Sequence, residues 1–196
     1  SWYAQADDLH DVLNNIENCK ISFPEHHFAI VVSNRVFEHL PDYKPYLDEI
    51  HRVLKPGGTF ITLFPLKDTL YEGHAYLYFP HYLQNNKPLQ YKYLKFCRSL
   101  GFGSPIQDKD KTPEIWATEM QRILQDVCFY HRDKDVKHDV ETTFKAPMND
   151  VGAEYLRFRG KRLKLDKFPK IANPLFRWIT IKRAGIAMSI DKPEAA

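Results

Sequence analysis

Two short apolar runs, Phe28–Val32 and Thr59–Phe64, flank a segment in which Tyr46, Leu47, Ile50, Val53 and Leu54 recur at helical spacing. Short continuous runs rich in β-branched residues suit strands buried on both faces. Between them, Asp42 can cap a helix and Pro45 fits a first turn. Lys55 is then a favourable cation in the last turn, and Pro56-Gly57-Gly58 stops the helix and reverses the chain. Two apolar strands joined by a helical crossover lie parallel in one sheet, with a right-handed connection. The expected class is therefore α/β.

In open parallel sheets, ligands sit beyond the carboxyl ends of the strands. The first run turns polar abruptly at Ser33, Asn34 and Arg35. That places Ser33 to His39, and the loop after Phe64, at the site. The Pro-Gly-Gly turn falls on the opposite, structural side.

The rest of the composition mostly excludes. A chain of 196 residues suits one domain with room for a full core. The apolar runs are far too short to span a bilayer. A net charge of +3 is too mild to make DNA the default partner. Three scattered cysteines, Cys19, Cys97 and Cys128, form no CxxC pair, which argues against a disulfide framework or a cysteine-based zinc site and for a reducing, cytoplasmic setting. The eight glycines make neither GxGxxG nor GxxxxGK[ST], so the familiar phosphate-cradling loops are absent.

The same residues carry a resemblance. FPEHHFAIVVSNRVFEHL, followed by LDEIHRVLKPGGTFITLFP, resembles the second half of a class I S-adenosylmethionine-dependent methyltransferase, type 11-like. The close match spans residues 21–65, with the VxEH element and the RVLKPGG turn at the family's separation. It implies a Rossmann-like, mostly parallel sheet and methyl transfer from S-adenosylmethionine, and leaves the acceptor open. The aromatic, histidine-bearing segment after Phe64 and the basic carboxyl-terminal face suit a small polar or anionic, or a sugar-containing, one. Ala29 stands where the family usually has Asp. The glycine-rich first strand, and the acid that binds the ribose hydroxyls, have no counterpart here. The chain thus reads as a carboxyl-terminal portion, incomplete at its start; two further βα units, roughly 50–60 residues, would restore the pattern.

By that resemblance Asn34 and Arg35, with Ser33, lie beside the donor's methionine portion. Trp2-Tyr3-Ala4-Gln5-Ala6-Asp7-Asp8 resembles the family's third strand, with Asp7 or Asp8 meeting the adenine amino group; the other reading makes them helix-capping acids before Leu9 to Ile16. Methyl transfer needs donor and acceptor held close and collinear, and a base if the acceptor is a hydroxyl. Glu38 and His39 follow the site strand and are the catalytic candidates, against a packing role. His74, Tyr76 and His81 lie in an aromatic segment, YEGHAYLYFPHYL, that suits an acceptor-binding wall, and residues 70–130 read as a helical insertion over the site. None of the nine histidines matches HExxH or a recurrent zinc spacing, so no metal is expected.

Further along, helices are expected over 87–100, 113–127 and 134–144, and strands over 127–130, within 153–158 and over 185–190. A basic cluster from Arg157 to Lys170 reads as a solvated face, with RNA or an anionic surface as the alternative partner. The rival to an enzyme is a non-catalytic module that keeps the fold and binds a partner. Because donor-binding strands are missing from the pattern, these 196 residues alone should turn over weakly or not at all. A methylation assay of this chain beside a longer parent checks this; equal rates would contradict it.

Overall fold

The computed structural model describes residues 19–104, 110–162 and 174–194. Asp7 and Asp8, and Lys164, Lys167 and Lys170 of the basic cluster, lie outside them. The elements in order are β1 (Phe28–Asn34), α1 (Lys44–Val53), β2 (Leu54–Phe64), β3 (Tyr71–Glu72), β4 (Leu77–Tyr78), α2 (Lys87–Ser99), α3 (Pro113–Asp126), α4 (Asp133–Phe144), β5 (Asn149–Asp150), α5 (Gly152–Arg162), α6 (Pro174–Arg183) and β6 (Ile186–Asp191). Short 3-10 turns occupy Phe37–His39 and Pro80–Leu83.

The main sheet has the order β1-β2-β6-β5. β1 and β2 are parallel, as the crossover requires, with Val31 opposite Phe60 and Asn34 opposite Leu63. β6 runs antiparallel to β2, and β5 antiparallel to β6. The α/β class stands, and the described sheet is mixed, because its carboxyl-terminal strand returns along β2 after a helix that ends beside that strand's far end.

One face of the sheet makes the larger core. Phe60 and Phe64 of β2 and Ile186, Met188 and Ile190 of β6 pack on Leu47 and Ile50 of α1 and on Val136, Val140 and Phe144 of α4. Phe37 lies among them, stacked on Tyr43 and tilted against Phe60 and Phe64. A second cluster joins Ala75 and Leu77 to Leu94 and Cys97 of α2, Trp116, Met120 and Leu124 of α3, and Cys128. That cluster explains the apolar stripe on α3 as packing.

α1 begins as its sequence implies. The Asp42 carboxylate accepts from the Lys44 amide, and Pro45 sits in the first turn. Its end differs. The helix stops at Val53, and Lys55-Pro56-Gly57-Gly58 loops out as a bulge within the pairing, between Phe28 opposite Leu54 and Ile30 opposite Thr59. Gly57 has φ +72°, and a Cβ on Gly58 would lie 3.0 Å from the Ala29 carbonyl. The cation at the end of α1 is not Lys55 but Lys192, whose buried ammonium donates to the carbonyls of His51 and Leu54.

Two further expectations change. Residues 127–130 form an irregular segment, not a strand, and 153–158 lie inside α5. The Glu154–Arg157 pair, one helical turn apart, supports that helix where a short apolar-aromatic run reads equally well as a strand.

Gly185 is the tightest joint between the layers. With φ +106°, it brings β6 so close to β2 that a Cβ would sit 2.0 Å from the Phe64 carbonyl oxygen. Gly185→Ala should lower the unfolding free energy by more than about 3 kcal/mol. Urea denaturation measures it, and a loss under about 1 kcal/mol would show that the strands separate freely.

Candidate functional site

β1 ends in a polar tip whose shape is fixed by one backbone contact. The Arg35 amide donates to the Leu63 carbonyl at 2.8 Å, extending the parallel pairing by one residue. Arg35 itself has φ +55°, so the chain turns sharply there. Asn34 and Arg35 are exposed and Ser33 is nearly buried. Val36 turns outward, whereas Phe37 anchors the 3-10 turn in the larger core.

The loop after β2 faces this tip. A Cβ on Gly73 would meet the Arg35 guanidinium at 3.2 Å, so the β3–β4 turn and the tip are in contact. The His39 and His74 rings are edge to face, with centroids 5.3 Å apart. Tyr76 and Phe79, bulky residues with φ of +57° and +68°, keep exposed rings beside this turn. Tyr71 and Tyr78 flank the Arg183 guanidinium, which also donates to the Tyr78 hydroxyl.

Beneath the turn lies a polar cluster. Glu72 is fully buried; its carboxylate accepts from the His74 ring at 2.6 Å, from the Tyr130 hydroxyl at 2.8 Å and from the Ala75 amide at 2.5 Å. Burial pushes Glu72 up, but the His74 ring and the amides outweigh it and hold the carboxyl below its ordinary range. The Cys128 sulfur, 3.7 Å away, and the Glu72 carboxylate lift His74 against its burial, up to about 10. His74 is thus an imidazolium at neutral pH.

Of the catalytic candidates, the His39 Nδ1–H donates to the Val127 carbonyl at 2.9 Å, which fixes the ring and leaves Nε2 without a partner among the described residues. Glu38 is wholly buried, and neither carboxylate oxygen has a hydrogen-bond partner on another described residue. Burial pushes it up; its own amide and the positive field of His39, Arg35 and His74 offset this only in part. The Glu38 carbonyl accepts from the Phe129 amide, which ties the tip to the segment after α3.

The structure therefore brings Ser33, Asn34, Arg35, Glu38, His39, His74 and Tyr76 into one region. His81 is different. It is buried between Tyr82 and Tyr130, and burial lowers its affinity for a proton. Cys128 and Tyr130 were not among the sequence candidates. Their only early signal was proximity to the end of an amphipathic helix, which says nothing of what they touch.

Residues 4–62 match the family described as a methyltransferase domain. That stretch is similar to the methyltransferase domain family. A curated relative, the demethylmenaquinone methyltransferase of Geobacillus stearothermophilus, is 36% identical over 76 residues, covering 38% of this chain and 32% of the relative. The chain thus spans about a third of that relative's length. Among solved structures, an S-adenosylmethionine-dependent methyltransferase of Methanosarcina mazei overlaps 90% of this chain and 65% of its own, at 16% identity and TM-score 0.44. Phosphoethanolamine N-methyltransferase 2 of Haemonchus contortus, solved with S-adenosylmethionine, overlaps 90% of this chain and 36% of its own, at 13% identity and TM-score 0.39. Within the methyltransferase stretch lie β1, the polar tip, α1 and most of β2.

The Glu72–His74 pair has a pH signature. His74 is raised above its ordinary 6.5, so its contribution to stability is complete below about 6.5 and is lost as pH climbs through about 10. Glu72 is depressed, so its contribution is present above the ordinary carboxylate range and is lost as pH falls. Thermal unfolding should therefore show the melting temperature falling between pH 6.5 and 10, with a shallower fall in Glu72→Gln. Equal slopes would contradict the pairing.

Proposed function

We propose that the protein transfers a methyl group from S-adenosylmethionine to a small, polar or sugar-containing acceptor. The supporting observation is the tip itself. In a stretch that matches a methyltransferase domain, the parallel β1–β2 pair ends in exposed Asn34 and Arg35, turned by a left-handed backbone. An open polar tip with free side-chain groups fits the amino-acid end of the donor. Ser33, Asn34 and Arg35 would hold that end, and Asp7 or Asp8 the adenine amino group.

The donor supplies an activated methyl on sulfur. The chain must hold the acceptor in line with it and exclude water. His39 is the candidate catalytic group that can touch an acceptor, because Val127 fixes its ring and leaves Nε2 without a partner among the described residues. Glu38, buried beneath, is a positioning residue. Its carboxylate sits close enough to His39, Arg35 and His74 for their charges to bear on it. The His74 imidazolium favours an acceptor with a negative or electron-rich group, and the exposed rings of Tyr76 and Phe79 suit stacking on a sugar or flat ring. Among the described residues no helix is long and apolar enough to cross a membrane, which is consistent with a small acceptor reached from water.

Calorimetric titration of the full-length protein with S-adenosylmethionine, followed by transfer assays with labelled donor, tests this reading. Asn34→Ala and Arg35→Ala should each weaken donor binding roughly tenfold, the loss of one hydrogen bond to a charged group. An absence of donor binding would overturn the proposal. Binding without transfer to any acceptor would favour the non-catalytic module.

A further inference from the structure

We propose that His39, His74 and Cys128 form a binding site for a thiophilic divalent transition metal, zinc above all. Their ligand atoms lie within 4.8 Å of one another, and among the described residues no other group of three such side chains does so. The three come from three separate segments: the turn after β1, the β3–β4 turn and the stretch after α3. No sequence spacing announces such a site, which is why counting histidine intervals leads to the opposite expectation.

The donor set and its surroundings fit zinc. Two imidazoles and a thiolate are zinc ligands of the kind found in sites with three protein donors. The 3.7 Å between the Cys128 sulfur and His74 Nδ1 is close to a tetrahedral edge, about 3.6 Å for ordinary Zn–S and Zn–N lengths. Drawing the rest of the triangle in from 4.8 Å needs side-chain shifts of about 1 Å, a matter of small torsional adjustments.

Behind one ligand stands the support that metal-bound imidazoles usually have: the Val127 carbonyl holds the His39 ring by Nδ1 and leaves Nε2 for the ion. His74 Nδ1 now donates to Glu72, so binding an ion there takes that nitrogen's proton and its bond to the carboxylate. Tyr130 in turn anchors Glu72. The buried carboxylate of Glu38, with no partner on another described residue, lies within electrostatic reach of both histidines.

A cavity of about 330 Å³ has Cys128 in its lining, with Gln84, Gln125, Tyr130 and His131, on a wall that includes neither His39 nor His74. Three protein ligands leave one position for a water or for an oxygen, nitrogen or sulfur of another molecule. With the ion bound, His39 Nε2 is a ligand and no longer takes a proton from an acceptor, so the metal site stands apart from the methyl-transfer reading.

Metal content separates the two readings. The full-length protein, loaded with zinc and freed of excess by gel filtration, should retain one zinc per chain by mass spectrometry of the metal. Cobalt substitution should give the near-ultraviolet charge-transfer band of a thiolate–cobalt bond. Cys128→Ser should abolish that band and weaken binding by at least roughly tenfold, and His39→Ala, at a half-buried position, should weaken binding similarly with circular dichroism unchanged. No stoichiometric zinc, or a cobalt band that survives Cys128→Ser, would overturn the site. Donor binding measured in the same preparations shows whether the methyl-transfer reading stands by itself.

Discussion

The parallel pairing of β1 with β2 is the constraint on which the rest depends. It fixes which end of each strand faces the site, and the Arg35 amide carries it one residue past the strand. From that contact follow the sharp turn at Arg35, the inward throw of Phe37 into the larger core, and the placement of Glu38 and His39 under the β3–β4 turn. A one-residue slip would exchange buried Phe60 and Phe64 for half-buried Ile61 and Leu63, so the register is held by the whole core.

What was legible in the sequence is what local pattern determines. The β1–α1–β2 unit, the Asp42 cap, and helices over α2, α3 and α4 follow from periodicity and stop signals within one segment. The polar tip was legible for the same reason, since Ser33, Asn34 and Arg35 interrupt an apolar run. What could not be read are the contacts made across long stretches of chain. Lys192 closes the end of α1 from the other end of the protein, so Lys55 looked like the natural candidate although the helix had already ended. Pro56-Gly57-Gly58 reads as a reversal, yet the Lys192 amide and carbonyl pin it as a bulge, bonding to Gly58 and Gly57. The α5 segment is short enough for both periods to fit, and a Glu–Arg pair decides it.

The site shows the same division. Chain order places His39 and His74 on separate loops, but the sheet brings both loops to one end, and α3 delivers Cys128 between them. His81, on the same aromatic segment as His74, is turned into the protein by the 3-10 turn it belongs to. The two histidines therefore serve different physical ends. One sits beside a carboxylate that raises its affinity for a proton, and in the other burial lowers that affinity.

The most direct measurement of the central claim is a backbone NMR titration of the full-length protein with S-adenosylmethionine. The account expects the amides of Ser33, Asn34 and Arg35 to shift in a saturable manner, while those of Gly57 and Gly58 in the bulge at the opposite end of β2 stay put. Shifts at the bulge with a silent tip would contradict it.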